Sequence, residues 1–180
     1  MDYFESIIKT LLEEDGYWTR QSFKVNVTKE EKRLIGKPTI PRPEIDLIAF
    51  KPQTNELLAV EVKSYLDSSG VHLSCLQERH EIPNGRYKLF TCANYRAIVF
   101  ERLIIDLKES GLIKAPMKVR LGLAAGNTHG NSELEIKEYL NNEKFWFWGP
   151  SDIKFRIEAL AKKGYENDPI VIAAKVLIRN

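Results

Sequence analysis

Two arms of sequence decide how this chain folds. The first is Pro43-Glu44-Ile45-Asp46-Leu47-Ile48-Ala49-Phe50-Lys51. The second, after Pro52-Gln53-Thr54-Asn55, is Glu56-Leu57-Leu58-Ala59-Val60-Glu61-Val62-Lys63. Both are short, apolar and rich in strand formers. The residues between them, Pro and Asn among them, favour a tight turn. The arms therefore read as an antiparallel hairpin of strands over 45–50 and 57–63. A four-residue loop at 52–55 pairs Lys51 with Glu56, and the same register sets Asp46 opposite Glu61. Alternate strand residues share a face. One face then carries Ile45, Leu47, Ala49, Leu58, Val60 and Val62, all apolar, and is expected to lie under a helix layer. The other carries Ile48, Phe50, Leu57 and Ala59 and, at one end, Asp46, Glu61 and Lys63.

Directly opposed strand residues have Cβ atoms about 4.5–5.5 Å apart. Two carboxylates at that spacing repel, and partial burial makes it worse. The arrangement makes sense with a cation. Two hard oxygen ligands with open positions suit Mg²⁺, with Mn²⁺ as a substitute, because such an ion keeps waters and accepts phosphate oxygens. Glu5 is a candidate third carboxylate. It lies at the edge of the apolar stripe of a first helix over 2–15, formed by Phe4, Ile7, Ile8, Leu11 and Leu12.

Outward from the hairpin, Gly16 stops the first helix, and Phe23, Val25 and Val27 mark a strand within 17–27. The basic, turn-rich stretch 28–43 reads as a loop or extended edge hairpin. A short helix is expected over 71–79. A long one over 95–110 has Asn94 as its N-cap, and a strand over 118–124 follows. Ser132 caps a helix over 133–142. Phe145–Trp148 is an aromatic strand, read as core, with base stacking as the alternative. A helix from Ser151 or Asp152 runs to Lys163. Asp168-Pro169 opens a last helix that is apolar nearly all round, either deeply packed or a dimer surface. The order is α-β-β-β-α-β plus C-terminal helices. It predicts an α/β fold with a mixed central sheet, the first three strands antiparallel and the fourth parallel.

The 180 residues are 43% hydrophobic and 29% charged, which excludes a disordered chain. No apolar run approaches the ~20 residues of a membrane span, and the acidic start, with Asp2 and Glu5, is unlike a signal peptide. The expectation is a cytoplasmic chain with no membrane partner. A net charge of +2 is too balanced to announce nucleic-acid binding. Cys75 and Cys92 form no CxxC motif. His72, His80 and His129 have no metal-ligand spacing and read as loop residues. These spacings argue against a structural zinc site. Two reduced thiols fit best, with a disulfide left open.

Asp46 followed by Glu61-Val62-Lys63 on a hairpin resembles the PD-(D/E)xK nuclease superfamily, with its restriction-endonuclease-like fold. The N-terminal part, Glu5 followed by Leu11-Leu12 and Gly16-Tyr17, is similar to archaeal Holliday-junction resolvases. The resemblance implies a Mg²⁺-dependent nuclease acting on DNA, branched, damaged or foreign. It implies a nuclease-like core over 1–131 and a helical extension over 132–180 on the same domain. Asp46, Glu61 and Lys63 are the implied catalytic set. The metal ligands are Asp46, Glu61, the backbone carbonyl of Val62 and Glu5. Gln77, on the helix after the ExK motif, is an implied contact.

Phosphate contacts must come from local basic clusters. The candidates are Lys29, Lys32, Arg33 and Lys37 before Asp46, and Arg86, Lys88 and Arg96 after Lys63. Two symmetric sites would suit the cutting of two strands, so a homodimer is expected. The alternative is a catalytically silent nucleic-acid-binding or assembly module of the same fold.

Overall fold

The computed structural model describes residues 3–114, 117–164 and 166–178. Helix α1 (Tyr3–Glu14) is followed by β1 (Trp18–Lys24), α2 (Lys29–Leu34), β2 (Glu44–Lys51) and β3 (Glu56–Lys63). Then come α3 (Leu73–Gln77), α4 (Lys88–Thr91), α5 (Ala93–Glu109) and β4 (Val119–Ala125). The chain continues with α6 (Glu133–Asn142), β5 (Trp146–Trp148), α7 (Pro150–Ala161) and α8 (Pro169–Ile178).

The strands form one mixed sheet in sequence order. β1–β2 and β2–β3 are antiparallel, and β3–β4 and β4–β5 are parallel. This is an α/β fold with helices on both faces. α5 makes the crossover that brings β4 in parallel, as the apolar stripe over Val99, Leu103 and Leu107 requires.

One face packs under α1, α7 and α8. There Phe4, Ile8, Leu11 and Leu12 meet Leu47, Ala49, Leu58, Val60 and Val62. Burying each such side chain contributes roughly 1.5–3 kcal/mol, so this face anchors the N-terminal helix firmly. α1 stops where Gly16 takes a left-handed φ of +84°. The other face packs Ile48, Leu57, Ala59, Leu121 and Leu123 against α5. Phe147 enters this cluster and Trp148 the opposite one, so the aromatic strand is core rather than a stacking platform.

Several local expectations are corrected. The stretch 28–43 contains a helix. Thr28 Oγ1 accepts from Glu31 N–H at 3.1 Å, and Glu31 Oε2 accepts from Thr28 N–H at 2.7 Å, a reciprocal capping box that starts α2. The long helix starts at Ala93, directly after α4. Asn94 lies inside its first turn and donates from Nδ2 to Leu34 O at 2.9 Å. Ser132 precedes α6 but donates its hydroxyl to His129 O instead of capping. α7 opens at Pro150, with Asp152 Oδ2 accepting from Gly149 N–H at 3.3 Å. Ile45 leaves the face of Leu47 and Ala49 and joins Phe23 and Val25 in the α5-side cluster, because β2 turns away from β3 at Asp46.

Asp168 caps α8 as expected, accepting from Ile170 and Val171 N–H. α8 buries Val171 and Ala174, and exposes Val176 and Leu177. Both cysteines are free. Among the described residues no helix is long and apolar enough to cross a membrane.

Candidate active site

The β2–β3 ladder runs from Lys51↔Glu56 to Leu47↔Val60, in the register that the four-residue loop dictates. It stops there. β2 stays with β1 through Phe23↔Ile45 and Lys24↔Glu44, while β3 stays with β4 to Lys63↔Ala125. The next antiparallel rung would join Ile45 to Val62. Instead the Val62 N–H donates to Asp46 Oδ2 at 2.7 Å. In a strand, the N–H and C=O of one residue point the same way, so the Val62 carbonyl faces this same gap. Across β1, Ser22 takes a φ of +50°, and the pairing passes from Gln21↔Leu47 to Phe23↔Ile45. A left-handed non-glycine residue beside a strand break marks a place where local geometry is held against its preference.

The opening gathers the three charged residues. Lys63 Nζ lies 2.6 Å from Glu61 Oε1 and 3.7 Å from Asp46 Oδ2. The side chains of Asp46, Glu61 and Lys63 are 21%, 16% and 21% exposed, so this is not a solvated surface pair. Burial pushes the Glu61 carboxyl above the ordinary glutamate range, and the Asp46 charge adds to it, against the pull of Lys63. Burial works against the Lys63 ammonium too. Glu61 and then Asp46 outweigh it and hold the lysine above its usual value, so it stays protonated.

A cleft of about 200 Å³ opens beside Glu61. The segment Ile40–Ile45 forms one wall, and Arg86, Lys88 and Leu89 with Tyr95 and Val99 of α5 form the other. Tyr65, two residues past Lys63, has a φ of +46°. Its carbonyl accepts from Ser68 N–H at 3.2 Å, which closes the turn after β3. A larger cavity, of about 800 Å³, lies at the other end of the sheet beside the β2–β3 turn. The acids lining it are already paired, Glu56 with Tyr17 and Arg120, and Glu143 with Arg79.

The structure divides the predicted residues. Asp46, Glu61 and Lys63 come together, and Arg86 and Lys88 join Glu61 at the cleft. Glu5 is half-buried on α1, which packs on the sheet face away from Glu61. Among the described residues no three His, Cys, Asp or Glu side chains gather as a metal-holding group. Lys29, Lys32 and Arg33 lie on α2 rather than in a loop, and none lines the cleft. Lys37 donates to Pro83 O at 3.4 Å. Gln77 is exposed at the end of α3. Arg96 is structural. It donates to Leu89 O at 2.7 Å and Phe90 O at 3.3 Å, closing α4, and its guanidinium sits over the Phe145 ring.

Sequence reasoning missed Arg42 and Tyr95 at the cleft. Arg42 was visible as a cation four residues before Asp46.

The donor set fits a divalent cation. Two half-buried carboxylates of like charge, beside a carbonyl that faces the same gap, leave the remaining positions to water and phosphate, the usual way Mg²⁺ is bound. No family model, no curated protein and no solved structure matches this chain.

Proposed function

We propose that the chain is a divalent-metal-dependent nuclease of restriction-endonuclease-like fold, hydrolysing phosphodiester bonds of DNA. One observation carries the reading. Asp46, Glu61 and Lys63 converge, largely out of solvent, where β2 and β3 separate beside a cleft rimmed by arginine and lysine.

Asp46 and Glu61, with the Val62 carbonyl, would hold Mg²⁺ or Mn²⁺. Such an ion supplies Lewis acidity toward a phosphate oxygen and a water acidic enough to attack near neutral pH. Asp46 also fixes the end of β3 through Val62 N–H, so its orientation is set before substrate arrives. Lys63, held protonated by the two acids, stabilises the charge that grows on the phosphate in the transition state. A general-base role does not suit a lysine kept charged in this way.

The test is cleavage, with Mg²⁺ or Mn²⁺, of a panel holding duplex, single-stranded and four-way-junction DNA and structured RNA. The expected result is metal-dependent cutting that Asp46→Ala abolishes. Binding without cutting by the parent chain would replace this reading with a silent nucleic-acid-binding module.

A further inference from the structure

The cleft beside Glu61 is more than an opening. Its cations come from two stretches far apart in sequence. Arg42 stands on the segment leading into β2, and Arg86 and Lys88 stand at the entry to α4. Three cations lining one narrow space make it favourable to an anion. Glu61 supplies one negative charge, but Lys63 already pairs with it at 2.6 Å. The remaining positive charge is unmatched within the cleft lining, where Glu44 is the other acid and lies within reach of Lys24 at 3.7 Å.

The size of the cleft limits what enters. At about 200 Å³ it is smaller than the roughly 300–1,000 Å³ of pockets that enclose a whole small molecule. It suits one phosphate and its sugar, part of a longer chain.

We propose that Arg42, Arg86 and Lys88 form a subsite for a backbone phosphate next to the one being cut, on an unpaired strand. This rests on the nuclease reading for the meaning of "cut", but its test does not. At about 200 Å³ the space between the 40–45 segment and α4–α5 is too small for a duplex, so a strand that enters it is unpaired there. The substrate class is therefore single-stranded DNA, or a strand end or flap.

The experiment measures equilibrium binding of a labelled single-stranded oligonucleotide of about 12 nucleotides by fluorescence anisotropy. Ca²⁺ replaces Mg²⁺, and salt is varied. Arg86→Ala and Lys88→Ala should each weaken binding about five- to tenfold and lower the salt slope by about 0.7, the value for one phosphate contact on a single strand. Lys154→Ala, at an exposed position of α7, should change neither. Unchanged slopes in both cleft variants, equal losses in Lys154→Ala, or no binding by the parent chain would overturn the subsite. Binding with the predicted slopes but no cleavage would leave the subsite standing and remove the nuclease reading. Cleavage with unchanged slopes would do the reverse.

Discussion

Asp46 takes the hydrogen bond that Val62 N–H would otherwise give to the next rung of the β2–β3 ladder, at 2.7 Å. One side chain thus does two things. It satisfies a strand amide left open where the strands part, and it brings its carboxylate alongside Glu61 and Lys63. The separation of β2 from β3 creates both the site and the cleft beside it.

If the paired carboxylates hold a divalent cation, that ion stabilises the folded chain. At a concentration of about 100 times Kd the gain is about 2.7 kcal/mol, and for a chain of this size the melting temperature should rise by roughly 5–10 °C. Differential scanning fluorimetry with Mn²⁺ should show this for the parent and no shift for Asp46→Ala. An equal shift in both would place the ion elsewhere.

Burial, with Asp46 adding to it, raises the Glu61 pKa above the ordinary value of 4.5. In the window above 4.5 the folded state then holds more protons than the unfolded one, so this group's contribution falls as pH rises through the folded pKa. Glu61→Gln removes that pH dependence. Without metal, the variant should gain stability relative to the parent between pH 4 and pH 7 in urea unfolding. A constant or reversed difference would contradict the direction assigned to Glu61.

Arg102 joins Glu31 through two nitrogens, Nε and Nη2, at 2.7–3.1 Å, with both side chains about four-fifths buried. This pair fastens α2, which has no buried residue of its own, to α5. Arg102→Ala leaves the largely buried Glu31 side chain without its cation and should cost about 1–3 kcal/mol. Amide exchange should rise across 28–35 and stay unchanged in α1. Unchanged exchange across 28–35 would show that α2 is held by something else.

Gly126 follows β4 and donates its N–H to Lys63 O at 2.8 Å. A Cβ there would stand 2.4 Å from Ser64 O and 2.9 Å from Phe4 Cζ. The carbonyl is backbone and cannot step aside, so Gly126→Ala should lose about 1–3 kcal/mol. It should also lower activity by shifting the end of β3. A variant as stable as the parent would show that the loop has room to move.

The hairpin register was legible because it depends on local quantities: the loop length, the turn residues and the alternation of apolar side chains. It carries the pairing as far as Leu47↔Val60; Asp46 and Glu61, expected as the next facing pair, lie beyond the last rung and meet instead at Lys63. α2 carried a readable signal in Thr28-x-x-Glu31, but Pro38, Pro41 and Pro43 just beyond it made the whole stretch look like loop. Asn94 has the chemistry of a helix cap, yet α4 directly before it moves the start of α5 to Ala93. The cleft was not legible. It exists because β2 follows β1 while β3 follows β4, and because residues 40–45 and 86–89 meet across it. Arg86 and Arg96 look alike in sequence. Only tertiary placement sends one to the cleft and the other to the carbonyls that end α4.

The most direct measurement is the single-turnover cleavage rate in Mg²⁺, on the best substrate of the panel, for the parent, Glu61→Gln and Lys63→Ala. Removing one preorganised charge that acts in the transition state costs about 10²–10³ in rate. The account predicts losses at least that large in both variants, with circular dichroism and oligonucleotide binding retained. A parent chain that cuts nothing, or variants that cut at the parent's rate, would contradict it.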